Sequence, residues 1–196
     1  MGFLGPGAVT RHIEHSTAML TCLPHGELRV VDLGSGGGVP GLVMACQRKE
    51  ITLVLLDSGR RRCAFLRQAV ETLGLSGRAE VVEERAESAA RSGTLRESAD
   101  AVVARSFGPP AVTAECAVGF LRVGGQLVVS EPPGDTLAHR WPPDGLEALG
   151  FSPASPCRRD GDEGTFVRMV KTRADDRWPR RVGIPTKRPW WSAAGV

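Results

Sequence analysis

The chain has 196 residues, 41% hydrophobic and 24% charged, the proportions of one globular domain with at most an appendage. No apolar run approaches the roughly 18–20 residues that cross a bilayer. The opening Met1-Gly2-Phe3-Leu4-Gly5-Pro6 has no basic stretch ahead of an apolar one, and Pro6 stands where a myristoylation signal needs Ser or Thr, so secretion and lipid anchoring are not expected. Net charge is +3, unevenly spread: from Lys171 onward seven Lys/Arg and two Asp give +5, leaving −2 for residues 1–170. A near-neutral body with a basic end implies an anionic partner engaged by the C-terminus.

Leu28–Leu33 reads as a buried strand ended by the glycine cluster 34–38, and 42–49 as a helix. Ile51–Leu56 is a second apolar strand ending at Asp57. Apolar residues at 65, 66, 69, 70 and 73 predict a helix from Arg60 to Leu73, with Gly74 as its stop. Then come a short strand at 79–82, a short helix from Ala86, a strand at 100–104, a helix at 111–121 and a strand at 125–130. Residues 135–149 read as helix or loop, and 164–171 as a last strand. Strands alternating with helices predict an α/β, doubly wound, mainly parallel sheet covered on both faces. Residues 1–171 would form this domain and 172–196 a basic, Pro- and Trp-rich tail. Five cysteines at 22, 46, 63, 116 and 157 form no C-x-x-C pair, which predicts buried, reduced thiols in a cytoplasmic protein and no metal site. Nothing sets Cys63 or Cys116 beside a base, so neither reads as a nucleophile.

Ligands of such sheets bind beyond the carboxyl ends of the strands. The sharpest sequence there is Asp32-Leu33-Gly34-Ser35-Gly36-Gly37-Gly38-Val39-Pro40-Gly41. Glycines let the backbone turn tightly and approach a ligand at a helix start. A P-loop needs Lys-Ser/Thr after its last glycine; Leu42 follows Gly41. Gly36, Gly38 and Gly41 satisfy a dinucleotide spacing, but Pro40 interrupts it and Asp32 would repel a pyrophosphate. S-adenosylmethionine carries no phosphate, and its ammonium and sulfonium suit a nearby carboxylate. Asp57, nineteen residues past Gly38, is placed to accept the ribose hydroxyls. Arg85-Ala86-Glu87 would flank the adenine, or merely start a helix with favourable acidic residues. Arg105-Ser106-Phe107 would face the acceptor, Arg clamping phosphate or a guanine edge and Phe stacking; the plainer reading is a surface arginine and a packed ring. No Asn-Pro-Pro-aromatic sequence, which would mark methylation of an exocyclic amine, stands there. The tail interleaves Arg180, Arg181, Lys187 and Arg188 with tryptophans, suited to RNA contact, although a disordered solubilising tail has the same charge.

Together these residues resemble the bacterial small-subunit ribosomal RNA guanine-N7 methyltransferases, the glucose-inhibited division protein B family. Arg11-His12-Ile13-Glu14-His15-Ser16 resembles its Arg-His…Ser segment, and Asp32 to Gly41 its donor loop with the Pro-Gly ending. Asp57-Ser58 with Arg61-Arg62…Phe65-Leu66, then Arg85-Ala86-Glu87 and Ala104-Arg105, resemble further stretches, and Trp178 to Pro189 its basic ending. The resemblance implies a class I methyltransferase sheet of Rossmann-like, seven-stranded type. It implies S-adenosyl-L-methionine as methyl donor, and ribosomal RNA or the small subunit as partner of a cytoplasmic monomer. Gly34, Val39, Ala86 and Glu87 would line the donor site, joined by Asp32, Ser35, Gly36, Asp57 and Ser58. Arg105, at the donor–acceptor boundary, would be the catalytic residue, and Arg11, His12 and the tail cations would bind RNA. The chain departs from the family in having ten residues before Arg11, Glu131-Pro132 where the family has Lys-Gly, and no Arg near Glu163-Gly164. Those changes keep open a methyltransferase with another substrate, or a non-catalytic binder of donor or RNA.

Overall fold

The computed structural model describes residues 7–91, 93–132, 137–157 and 165–192. In chain order they form α1 (Val9–Leu20), β1 (Leu28–Leu33), α2 (Gly41–Gln47), β2 (Ile51–Asp57), α3 (Arg60–Thr72), β3 (Ala79–Glu83), α4 (Ala86–Ala89), β4 (Ala99–Ala104) and α5 (Pro110–Val118). There follow β5 (Leu121–Glu131), α6 (Leu137–Arg140), α7 (Pro143–Leu149), β6 (Ser155–Pro156), β7 (Thr165–Val170) and α8 (Ile184–Lys187). One seven-stranded sheet has the order β3-β2-β1-β4-β5-β7-β6. The first five strands are parallel; β7 runs antiparallel to β5 and β6. This is the doubly wound, mainly parallel sheet that the alternation of elements predicts.

Strand side chains alternate between the faces. Val31, Leu33, Val54, Leu56, Val102 and Ala104 enter one core, beneath α4, α5 and α7. Leu28, Val30, Leu53, Leu55, Ala101 and Val103 enter the other, beneath α1, α2 and α3. Burial on both faces explains why β1, β2 and β4 are mostly apolar instead of alternating. The chain winds outward from β1 to β3 and then returns to place β4 on the other side of β1, so the switch point lies between β1 and β4.

Four features depart from expectation. Helix α1, not anticipated from the sequence, buries His12 and Ser16 beside Ala18 and Met19. On α3 the buried residues are Cys63, Leu66 and Val70, while Phe65 and Leu73 are exposed. Cys22 and Cys157, 135 residues apart, meet as a disulfide with a Cα–Cα distance of 5.7 Å, and Cys46 is exposed, which corrects the expectation of five buried, reduced thiols. The two-residue β6 carries Cys157 to the turn after α1, a closeness set by the sheet and invisible in local spacing. Finally, the C-terminal segment, for which the sequence left a disordered tail open, packs on the body through Trp178 and Arg180. All nine residues of α5 are buried because the sheet lies on one side and this segment on the other. Among the described residues no helix is long and apolar enough to cross a membrane.

Candidate donor cleft and acceptor cavity

A cavity of about 570 Å³ opens at the carboxyl ends of the strands. Of the ten expected donor-site residues, nine line it: Gly34, Ser35, Gly36, Val39, Asp57, Ser58, Ala86, Glu87 and Arg105. Asp32 does not. Its side chain is buried behind the glycine turn, 1% exposed, and accepts the Gly41 N–H at 3.0 Å. That hydrogen bond ties the end of β1 to the start of α2, directly behind the turn that lines the cleft. A Cβ on Gly41 would lie 2.6 Å from that carboxylate, so only glycine admits the contact. Burial pushes the Asp32 carboxyl up to about 7 against the pull of the Gly41 and Ser35 hydrogen bonds.

The turn itself hangs on β2. The N–H groups of Gly34 and Ser35 both donate to the Leu56 carbonyl, at 2.9 and 3.0 Å. Gly34 adopts φ +75°, open to glycine at little cost, and a Cβ there would meet the Phe107 ring at 2.6 Å. Asp57 faces the cleft with its carboxylate already organised. It accepts the Gly59 N–H at 2.8 Å, the Gly36 N–H at 3.0 Å and a forked contact from Arg62 Nε at 2.9 Å to each oxygen. Arg62, Gly59 and Gly36 hold this carboxyl below its usual range despite the opposing effect of burial. Arg62 lines the cleft too. Sequence reasoning assigned it no role of its own; its position five residues after Asp57, in the first turn of α3, is the signal that was there.

Glu87, at the start of α4, is 3% exposed and accepts the Gly183 N–H at 2.9 Å. Val112, Cys116 and Thr186, none of them expected, complete this end of the cleft. Burial beside Glu87 and Glu115 raises the Cys116 thiol, consistent with packing and not nucleophilic chemistry.

A second cavity, of about 430 Å³, lies on the far side of the turn after β4. The two cavities share Arg105, Ser106, Phe107 and Gly108. Arg105 Nη2 is 2.6 Å from His12 Nδ1, while its buried Nη1 has no hydrogen-bond partner among the described residues. Glu131 lines the second cavity but does not present an unbalanced negative charge, because Arg140 of α6 pairs with it, one contact being Nη2 to Oε1 at 3.3 Å. Ser130 Oγ lies 2.9 Å from His15 Nε2 on the same wall. The position near Glu163-Gly164 lies outside the described residues.

The expected RNA contacts divide. Arg11, Arg181, Lys187 and Arg188 are exposed. His12 is 6% exposed and turned inward to Arg105. Arg180 is likewise occupied: it donates from Nε and Nη2 to the fully buried Glu115 of α5 at 2.8 and 2.6 Å. Its guanidinium also sits 5.6 Å from the ring centroids of both Trp178 and Trp190. Trp178 is 4% exposed and Trp191 stands edge-to-face on Trp141, which leaves Trp190 as the exposed aromatic of the segment.

Residues 6–131 match the GidB family, described as rRNA small subunit methyltransferase G. Among curated proteins, the ribosomal RNA small subunit methyltransferase G of Deinococcus deserti is 37% identical over 191 residues, covering 92% of this chain and 78% of that one. The protein of the same name from Moorella thermoacetica is 34% identical over 166 residues, covering 82% and 69%. Among solved structures, the SAM-dependent O-methyltransferase of Thermotoga maritima superposes with a TM-score of 0.59 at 14% identity, over 83% of this chain and 65% of that one. The precorrin-6y C5,15-methyltransferase of Geobacter metallireducens does so with a TM-score of 0.56 at 16% identity, over 81% and 87%. These structural likenesses establish the class I methyltransferase architecture of the sheet. With the family match spanning the glycine turn, Asp57, Glu87 and Arg105, the chain belongs to the rRNA small subunit methyltransferase G family.

Proposed function

We propose that the chain transfers the methyl group of S-adenosyl-L-methionine to N7 of a guanine in small-subunit ribosomal RNA. The observation that carries this reading is the pair of cavities meeting across residues 105–108. The larger, about 570 Å³, falls in the size range of small-molecule sites. Its organised Asp57 carboxylate suits a ribose diol, and its glycine turn is backed by a carboxylate, a poor cradle for pyrophosphate but a tolerable one for a sulfonium. Gly34, Ser35, Gly36 and Val39 would hold the donor's amino-acid part and sulfur, Asp57 and Ser58 its ribose, and Ala86 and Glu87 its adenine. When bound, the donor supplies an electrophilic methyl group.

Guanine N7 already carries an in-plane lone pair, so transfer needs no general base. Transfer would form the nitrogen–methyl bond as the methyl–sulfur bond breaks and carry the positive charge from sulfur to the base, so no side chain would need to take up a proton. The chain's own task is to align the nitrogen and keep water out. Arg105 stands at the boundary with His12 fixing one side of its guanidinium and Nη1 left to donate to O6 or a phosphate of the acceptor. Arg11, Arg181, Lys187 and Arg188 supply salt-sensitive affinity for the phosphate backbone. Both cavities lie within one copy, so a monomer suffices, and the substrate places the enzyme in the bacterial cytoplasm. The test is incorporation of a labelled methyl group into naked small-subunit RNA and into intact subunits. Incorporation at a guanine is expected on one of them; none on either, with donor binding intact, overturns the guanine-N7 reading.

A further inference from the structure

The basic C-terminal segment suits RNA contact by its sequence, and its middle also lies at the cleft. Thr186 lines that cleft beside Glu87, Val112 and Cys116, the end assigned above to the adenine. Three residues earlier, Gly183 donates its N–H to the buried Glu87 carboxylate. Gly183 takes φ +78°, the left-handed conformation that turns the chain into α8. The segment is anchored just upstream: Glu115 receives the Arg180 backbone N–H at 2.9 Å as well as the two guanidinium contacts. Arg91 and Arg96 of the body donate to the carbonyls of Pro179 and Trp178. Residues 178–187 are thus held at several points, from a buried indole to the cleft wall.

We infer that this C-terminal segment is part of the donor site: Gly183 positions Glu87, and Thr186 forms the outer wall against the adenine. The inference rests on the donor reading given above. A carboxylate recognises an exocyclic amine only if its own rotamer is fixed, and Glu87 gains that fixity from an N–H 96 residues away in sequence. Thr186 is exposed on the cleft wall, so a bound nucleoside would cover it. The donor then joins the segment to the body, and the segment in turn limits what the cleft admits.

The full-length chain tests this in two ways, with S-adenosylhomocysteine as probe. By calorimetry, Thr186→Trp, which fills the wall position, should bind it at least tenfold more weakly than the wild type, with the ligand-free melting temperature unchanged. Independently, trypsin cleavage of the wild type after Arg181, an exposed site in the segment, should slow severalfold when the cleft is saturated. Affinity of Thr186→Trp within twofold of wild type, or cleavage after Arg181 unaffected by saturating ligand, overturns the inference while the donor reading stands. A wild type that does not bind S-adenosylhomocysteine overturns both.

Discussion

Replacing Asp32 by Asn should stabilise the protein in a manner that grows with pH. The Asn Oδ1 keeps the hydrogen bond from the Gly41 N–H, and its Nδ2 mimics the protonated carboxyl without any charge. In the folded chain, burial holds the Asp32 proton up to about pH 7, whereas the ordinary value is 3.8. Between those values the folded state binds more protons than the unfolded one, so stability falls as pH rises through the window, and above it the full penalty persists. At 1.36 kcal/mol per pH unit, the wild type should lose roughly 2–3 kcal/mol relative to Asp32→Asn between pH 5 and pH 8. Other titrating groups are common to both chains and largely cancel. With a urea slope of about 2 kcal/mol per M, the gap between unfolding midpoints should widen by about 1 M. A gap of equal size at both pH values refutes the proton-holding role. Because Asp32 does not line the cleft, the variant should also bind S-adenosylhomocysteine within a few-fold of wild type. A much larger loss with stability retained would put the carboxylate in contact with the donor.

Removing Glu115 should be costly, since it leaves Arg180 without the carboxylate that holds it under two indole rings. Glu115→Ala should lower unfolding stability by about 3 kcal/mol in urea melts, and a loss below about 1 kcal/mol would show the pair to be replaceable by water. His12→Ala should act on turnover: losing the partner of Arg105 Nη2 should reduce kcat by about tenfold to a hundredfold while S-adenosylhomocysteine affinity stays within threefold. An unchanged kcat in single-turnover assays would mean that Arg105 needs no such guide. The combined Arg181→Ala, Lys187→Ala and Arg188→Ala variant should bind small-subunit RNA more weakly, with the slope of log affinity against log salt smaller in magnitude by about 2–3. An unaltered slope in filter binding would remove these three cations from the RNA-facing surface.

The sheet was legible because its central strands are buried on both faces. The runs at 28–33 and 51–56 leave little choice of period, and the glycines after Leu33 mark where the backbone must turn. Asp57 was legible for the same reason, as the first polar residue after a buried run. Asp32 shows the limit of that logic. Its place at a strand end is plain, but whether its side chain enters the cleft or the scaffold depends on the strand's alternation and on the room left by Gly41. Helix α1 escaped notice because the face it buries is partly polar and acquires its meaning from Arg105, 93 residues on. The C-terminal segment shows a different ambiguity. Arginines and tryptophans suit RNA, yet the same residues serve equally for packing once a buried Glu115 awaits one of them. Local pattern does not distinguish these uses, because the partners lie on distant elements.

The contact between Gly34 and Phe107 has a consequence for how this family can diverge. The Phe107 ring occupies the space a side chain at position 34 would need, so the two positions should vary together. A lineage that replaces the phenylalanine to accommodate a different nucleobase opens a gap above the glycine turn. One that places a larger residue at 34 must first give up the aromatic ring. Changes in acceptor preference should therefore arrive as paired substitutions, with the methyl-donor loop recording what happened on the nucleic-acid side.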